Sequence, residues 1–129
     1  MFKKSMTTTF LIFFIVAGYV AADYIKDAAE RVKVANWSKM ETINVKLDDY
    51  KFTPSILTFK VDIPYKLHIT NVGSQKHYFT SEGFFKAIAT RKIQSSDGEI
   101  KAPYFIAIEV FPGRSLDLFF IPLREAIMF

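Results

Sequence analysis

The chain has 129 residues, half of them hydrophobic and 23% charged, with 14 phenylalanines, two histidines and no cysteine. That composition fits one globular domain and excludes disulfides, so the fold must rest on its core alone. The formal charge is +4, and leaving out residues 1–22 removes Lys3 and Lys4 but no acid, which makes it +2. Such a field is too weak to argue for nucleic acid or an anionic membrane as partner.

The N-terminus has the layout of a secretory signal peptide. Met1-Phe2-Lys3-Lys4 is a short basic start, Phe10 to Val20 is nearly unbroken apolar sequence, and Val20-Ala21-Ala22 places small or modest residues before Asp23. Left uncleaved, the same segment would act as an anchor, because Ser5 to Ala22 approaches the shortest membrane spans of roughly 17 residues. Either way residues 23–129 are expected on the far side of a membrane, periplasmic or secreted, with membrane contact only through residues 1–22.

Residues 23–40 read as a short helical linker. Ile25, Ala28, Ala29 and Val32 follow helical spacing, and Asp27 with Arg31 makes a favourable i, i+4 pair. Asn36-Trp37-Ser38 fits a glycosylation acceptor tripeptide.

From Glu41 onward the period becomes two. Ile43, Val45 and Leu47 predict a half-buried strand, Asp48-Asp49-Tyr50 a turn, and Phe52-Thr53-Pro54 a return to the fold. Leu57 to Val61 alternates again, and Asp62-Ile63-Pro64 turns. Tyr65 to Asn71 predicts a third strand with Tyr65, Leu67 and Ile69 on one face and Lys66, His68 and Thr70 on the other. Lys76 to Thr80 predicts a brief strand. Thr80 or Ser81 is placed to cap a helical excursion carrying Phe84, Phe85 and Ile88. Gln94 to Pro103 reads as loop. Tyr104–Phe111 and Ser115–Ile121 read as strands of a hairpin joined by Pro112-Gly113-Arg114, and Leu123–Phe129 as the start of another strand. Short strands with Gly, Pro and Asp turns predict an all-β, antiparallel β-sandwich over residues 41–129.

The chemistry is sparse. The sequence has no P-loop, dinucleotide fingerprint, His-Glu-x-x-His pair or cysteine nucleophile. Asp48, Asp49, Asp97 and Glu99 fall in turns, where acidic residues serve the backbone. Arg91-Lys92 reads as a solvated face. Phe84, Phe85, Tyr104, Phe105, Phe119 and Phe120 are expected mainly in the core, some forming an apolar rim around His77. His68 sits mid-strand on the outward face. His77 follows the Asn71-Val72-Gly73 turn and is the candidate metal ligand.

Taken in order, several segments resemble the cupredoxin family, the small exported plastocyanin- and azurin-like domains of bacteria. They are Phe52-Thr53-Pro54, Leu57, Tyr65 to Asn71, Gly73, His77, Phe79, Glu109 to Gly113 and Phe120-Ile121-Pro122. The resemblance covers about Ile43 to Phe129. It implies a Greek-key sandwich that binds copper, transfers electrons to a redox protein partner and has no enzyme activity, with His77 as first copper ligand. In that family a cysteine, a second histidine and usually a methionine follow on a C-terminal loop, and this sequence departs from the pattern by lacking that loop.

The apolar ending Ile127-Met128-Phe129 adds the expectation that the natural product continues beyond Phe129, since an unpaired apolar edge strand invites aggregation. The rival readings are a metal-free sandwich serving as a binding or assembly module, and a truncated, marginally stable product.

Overall fold

The computed structural model describes residues 23–124 and the backbone of Ala126–Met128. The expected signal or anchor segment at 1–22 lies outside the described residues. In chain order the elements are α1 (Ala28–Val34), a 3-10 turn at Trp37–Lys39, β1 (Glu41–Leu47), β2 (Phe52–Thr53), β3 (Leu57–Phe59), β4 (Tyr65–Asn71), β5 (His77–Phe79), α2 (Glu82–Ala87), β6 (Ile88–Ser95), β7 (Gly98–Ile100), β8 (Ile108–Val110), β9 (Ser115–Pro122) and β10 (Ala126–Met128).

Alternation in β4 does what it predicts: Tyr65, Leu67, Ile69 and Asn71 are buried, while Lys66, His68 and Thr70 are only partly so. β4 lies inside a six-stranded sheet ordered β2-β1-β4-β9-β6-β7. It pairs with β9 antiparallel, Tyr65 opposite Phe120 and Thr70 opposite Ser115. With β1 it pairs in parallel, from Glu41 opposite Tyr65 to Leu47 opposite Asn71. The sheet is therefore mixed, not wholly antiparallel as expected. Side-chain alternation fixes which face a residue uses and is silent on strand direction. Here residues 48–64 form the crossover that parallel pairing requires, and they contribute β2 and β3 along the way.

Two small sheets complete the β-structure, β3 with β10 and β5 with β8. One buried cluster joins residues of the large sheet to Leu57 and Phe59 of β3, Phe79 of β5, Phe84 and Phe85 of α2, and Ile108 and Val110 of β8. Aromatic rings dominate it. Phe84 meets Phe120 edge to face at 5.2 Å between centroids, and Phe59 meets Phe120 at 5.2 Å and Tyr65 at 5.0 Å in the same manner. Such pairs add about 0.5–1.5 kcal/mol each beyond area burial. The Tyr65 hydroxyl accepts from the Lys60 N–H at 2.9 Å, so the buried ring brings no unpaired oxygen into the core.

Several expectations are corrected. The stretch read as loop, Gln94 to Pro103, holds the end of β6 and all of β7. A bulge hid β6: Thr90 faces Phe120 and Lys92 faces Phe119, so Arg91 is the extra residue and the period of two breaks. The strand expected at Tyr104–Phe111 shrinks to Ile108–Val110. It pairs with β5 while β9 pairs with β4 and β6, so the predicted hairpin does not form. Pro112-Gly113-Arg114 instead carries the chain from one sheet to another, with Gly113 at φ 76° in the left-handed region. Ser81 occupies the N-cap position of α2 but makes no side-chain cap bond. The linker helix packs on β6 and β9 with Ala28 buried, and Asp27 and Arg31 pair at 3.0 Å. Asn36 caps the following 3-10 turn through the Ser38 N–H.

Thr90 is 3% exposed and its hydroxyl has no hydrogen-bond partner among the described residues. Replacing it by the isosteric valine removes an unsatisfied polar group, so Thr90→Val is expected to stabilise the fold by about 1 kcal/mol. Phe84→Ala is expected to cost about 3–5 kcal/mol through the cavity it leaves. Urea denaturation followed by circular dichroism measures both.

Candidate functional site

β4 ends at Asn71, where the chain must turn to reach β5. Asn71 faces inward and is fully buried, a place an amide tolerates only when its donors and acceptor are met. Its Nδ2 donates to the Gln75 carbonyl at 2.7 Å and to the Val110 carbonyl at 2.8 Å, and its Oδ1 accepts from the Gly73 N–H at 2.8 Å. Its backbone N–H donates to the Arg114 carbonyl at 3.0 Å, and its own carbonyl accepts from the Gly113 N–H at 2.9 Å. One side chain and its peptide groups thus tie the 71–76 turn to β8 and to the 111–114 turn.

The 48–51 turn comes to the same end of the sheet, because Val72 N–H donates to the Leu47 carbonyl at 2.8 Å. Asp49 lies against the 73–77 segment. Its carboxylate accepts from the Ser74 hydroxyl at 2.6 Å, from the Ser74 N–H at 3.0 Å to each oxygen, and from the Gln75 N–H at 3.1 Å. The approach is close enough that a Cβ at Gly73 would collide with the Asp49 carboxylate and lie 3.0 Å from its backbone nitrogen. Contact with Asp49 is thus what calls for glycine here.

His77 opens β5 and its side chain is 19% exposed. Its Nε2 lies 3.0 Å from Asp49 Oδ1. The hydrogen bonds from Ser74, then that from His77, hold the Asp49 carboxyl far below its ordinary value of 3.8. An ionised carboxylate only accepts, so the shared proton sits on Nε2. In the neutral ring the lone pair is then on Nδ1, the arrangement in which a histidine can ligate a metal while a carboxylate fixes its tautomer. Around this end Tyr50, Val72, Tyr78 and Phe111 are exposed, and Lys76 pairs with Glu109 at 3.3 Å. Of the rings expected mainly in the core, Phe84, Phe85, Phe119 and Phe120 are buried, Phe105 packs partly buried against the core, and Tyr104 is exposed.

His68 belongs to a different set. On the outer face of the large sheet its Nδ1 donates to Asp117 Oδ1 at 2.6 Å, while the Thr70 hydroxyl lies 3.3 Å from Nε2 and 2.9 Å from the Ser115 hydroxyl. These residues follow from register, since His68 faces Asp117 and Thr70 faces Ser115 across β4 and β9. A groove of about 470 Å³ runs beside His68 and Asp117 towards Arg114 and Phe111. His77 is not among its lining residues. Among the described residues no three His, Asp or Glu side chains gather as a metal site.

Sequence reasoning placed His77 and the Asn71 turn but missed Asp49, which it treated as a turn residue. No local signal marks Asp49 as the partner of a histidine 28 positions away; only the parallel pairing of β1 with β4 brings them together. No protein-family model matches the chain, and no curated protein matches it.

Two outcomes follow from this geometry. Asn71→Ala strands the buried Val110 carbonyl, removes the part-buried bonds to Gln75 and Gly73, and is expected to destabilise by about 2–4 kcal/mol in chemical denaturation. Folding lowers the Asp49 pKa, so the stability it contributes is complete above 3.8 and is lost as pH falls below that value towards the folded one. Asp49→Asn should therefore flatten the acid side of the urea-midpoint profile between pH 5 and pH 2.

Proposed function

We propose that the chain is an exported cupredoxin-like protein, a Greek-key β-sandwich in which His77 contributes one imidazole to a copper centre used for electron transfer. The observation that carries this reading is the His77–Asp49 bond: it sets the proton on Nε2 and leaves the lone pair of the neutral ring on Nδ1, in a side chain that is 19% exposed. The mixed six-stranded sheet and two smaller sheets around one aromatic core are compatible with a sandwich. Asn71 and the Asp49 carboxylate hold the turn before His77 rigid, which favours small reorganisation at a ligand.

The donor chemistry sets a limit. A blue-copper centre needs a thiolate and a second imidazole, whereas this sequence has no cysteine and two histidines, of which His68 is engaged by Asp117. His77 is thus at most one donor of such a centre, whose thiolate this sequence does not supply. Copper held there would supply a one-electron couple. The chain's residues orient the imidazole and offer the exposed Tyr50, Val72 and Phe111 as an apolar surface for a redox protein. We assign no enzyme activity. The second reading is a metal-free binding or assembly module of the periplasm, favoured by the same exposed residues and by the lack of a thiolate.

Titration with Cu(II), followed by electron paramagnetic resonance, separates the two. The copper reading expects a bound signal with nitrogen coupling from one imidazole, lost in His77→Ala and kept in His68→Ala. Asp49→Asn should weaken that binding by about 10–100-fold. Copper binding that survives His77→Ala unchanged, or no binding by the folded wild-type chain, would overturn it.

A further inference from the structure

A second cavity, of about 380 Å³, lies away from His77, where α1 crosses the bulged part of β6. Its walls are mostly apolar: Ala29 and Val32 come from α1, and Ala102 with Pro103 from the segment after β7. Two cationic residues line it as well, Arg91 and Lys101. The placement of Arg91 is specific. It is the extra residue of the β6 bulge, a device that re-aims a side chain out of the regular alternation. Its guanidinium is held over the Trp37 ring at 4.8 Å from the centroid, and the Trp37 indole N–H donates to the Val32 carbonyl at 3.0 Å. The tryptophan therefore fixes both a cation and a wall of the cavity.

The charge is not internally matched. Among the described residues Arg91 forms no salt bridge, and Lys101 reaches only Glu99 at 3.5 Å, a carboxylate already taken by Lys92 at 3.0 Å. The sequence predicted a solvated face at Arg91-Lys92. Lys92 instead spans Glu99 and the Phe119 ring, and Arg91 turns to the cavity. Apolar walls with a few placed polar groups are the usual makeup of a small-molecule site.

We infer that this cavity binds an anionic amphiphile, with a carboxylate or phosphate head pairing to Arg91 and Lys101 and an aliphatic part lying on Ala29, Val32, Ala102 and Pro103. A guanidinium stacked on an indole is already oriented, so little of its freedom is lost on pairing. The inference is independent of copper and of His77.

Trp37 is the sole tryptophan of the sequence, so its fluorescence reports this site in the full-length chain. Titration with octanoate below its micelle concentration should give a saturable change, and octan-1-ol at the same concentrations should not. Lys101→Gln and Arg91→Gln should each weaken octanoate binding by about tenfold, the loss of one charge-assisted pair. The Lys101 substitution leaves the Trp37 contact and the core untouched, so its Kd is readable even if Arg91→Gln shifts the baseline. Vesicles of phosphatidylglycerol and of phosphatidylcholine form the other arm. A Lys101-dependent response to the anionic vesicles alone identifies the head group as a membrane lipid's, and one to octanoate identifies a free amphiphile. No saturable response to either, an equal response to octan-1-ol, or binding unchanged in both variants would overturn the assignment.

Discussion

The structure turns on the buried amide of Asn71. At the end of a central strand, where the chain leaves the large sheet, a hydrophobic residue would fill the space but leave the Gln75 and Val110 carbonyls and the Gly73 N–H without partners. Asn71 satisfies all three, while its peptide groups bond to Gly113 and Arg114. A fully satisfied polar group in a low-dielectric interior rigidifies and specifies the arrangement around it. Here it fixes β8 and the 111–114 turn relative to the turn that precedes His77.

The His77 geometry is built outward from that anchor. With the 73–76 backbone held, its N–H groups converge on the Asp49 carboxylate, and the carboxylate in turn sets the tautomer of His77. The glycine at 73 is part of the same device, because any side chain there would displace Asp49. The chemistry resides in one imidazole, but its orientation depends on a turn 28 residues upstream and on an amide six residues upstream. His68 has a comparable carboxylate partner, yet it lies on an outer sheet face beside hydroxyls. The two histidines of the chain therefore play separate parts.

Away from the histidines the packing follows another logic. The phenylalanine-rich core lies between the large sheet, α2 and the small sheets, with rings meeting largely edge to face. Where α1 covers β6 a cavity opens, and a bulge turns Arg91 away from the strand's alternation. Trp37, in the turn just after α1, holds that arginine in place. A short helix that reads as a linker in the sequence thereby becomes one wall of a cationic, apolar-lined cavity.

The sequence by itself determined the β-rich class, the faces of β1 and β4, the short strand at His77, the burial of Phe84 and Phe85, and the turns at Asp48-Asp49 and Pro112-Gly113. All of these rest on local alternation or turn chemistry, which a sequence displays directly. Tertiary structure alone decided that β1 and β4 run parallel, that β8 and β9 part into different sheets, and that β6 exists despite its bulge. It also chose Asp49 as the partner of His77 and Asp117 as that of His68. Each of these is a pairing between distant segments. Alternation tells which face a residue takes but carries no information about which strand lies beside it, and hydrogen bonds across that boundary form only once the whole core has closed.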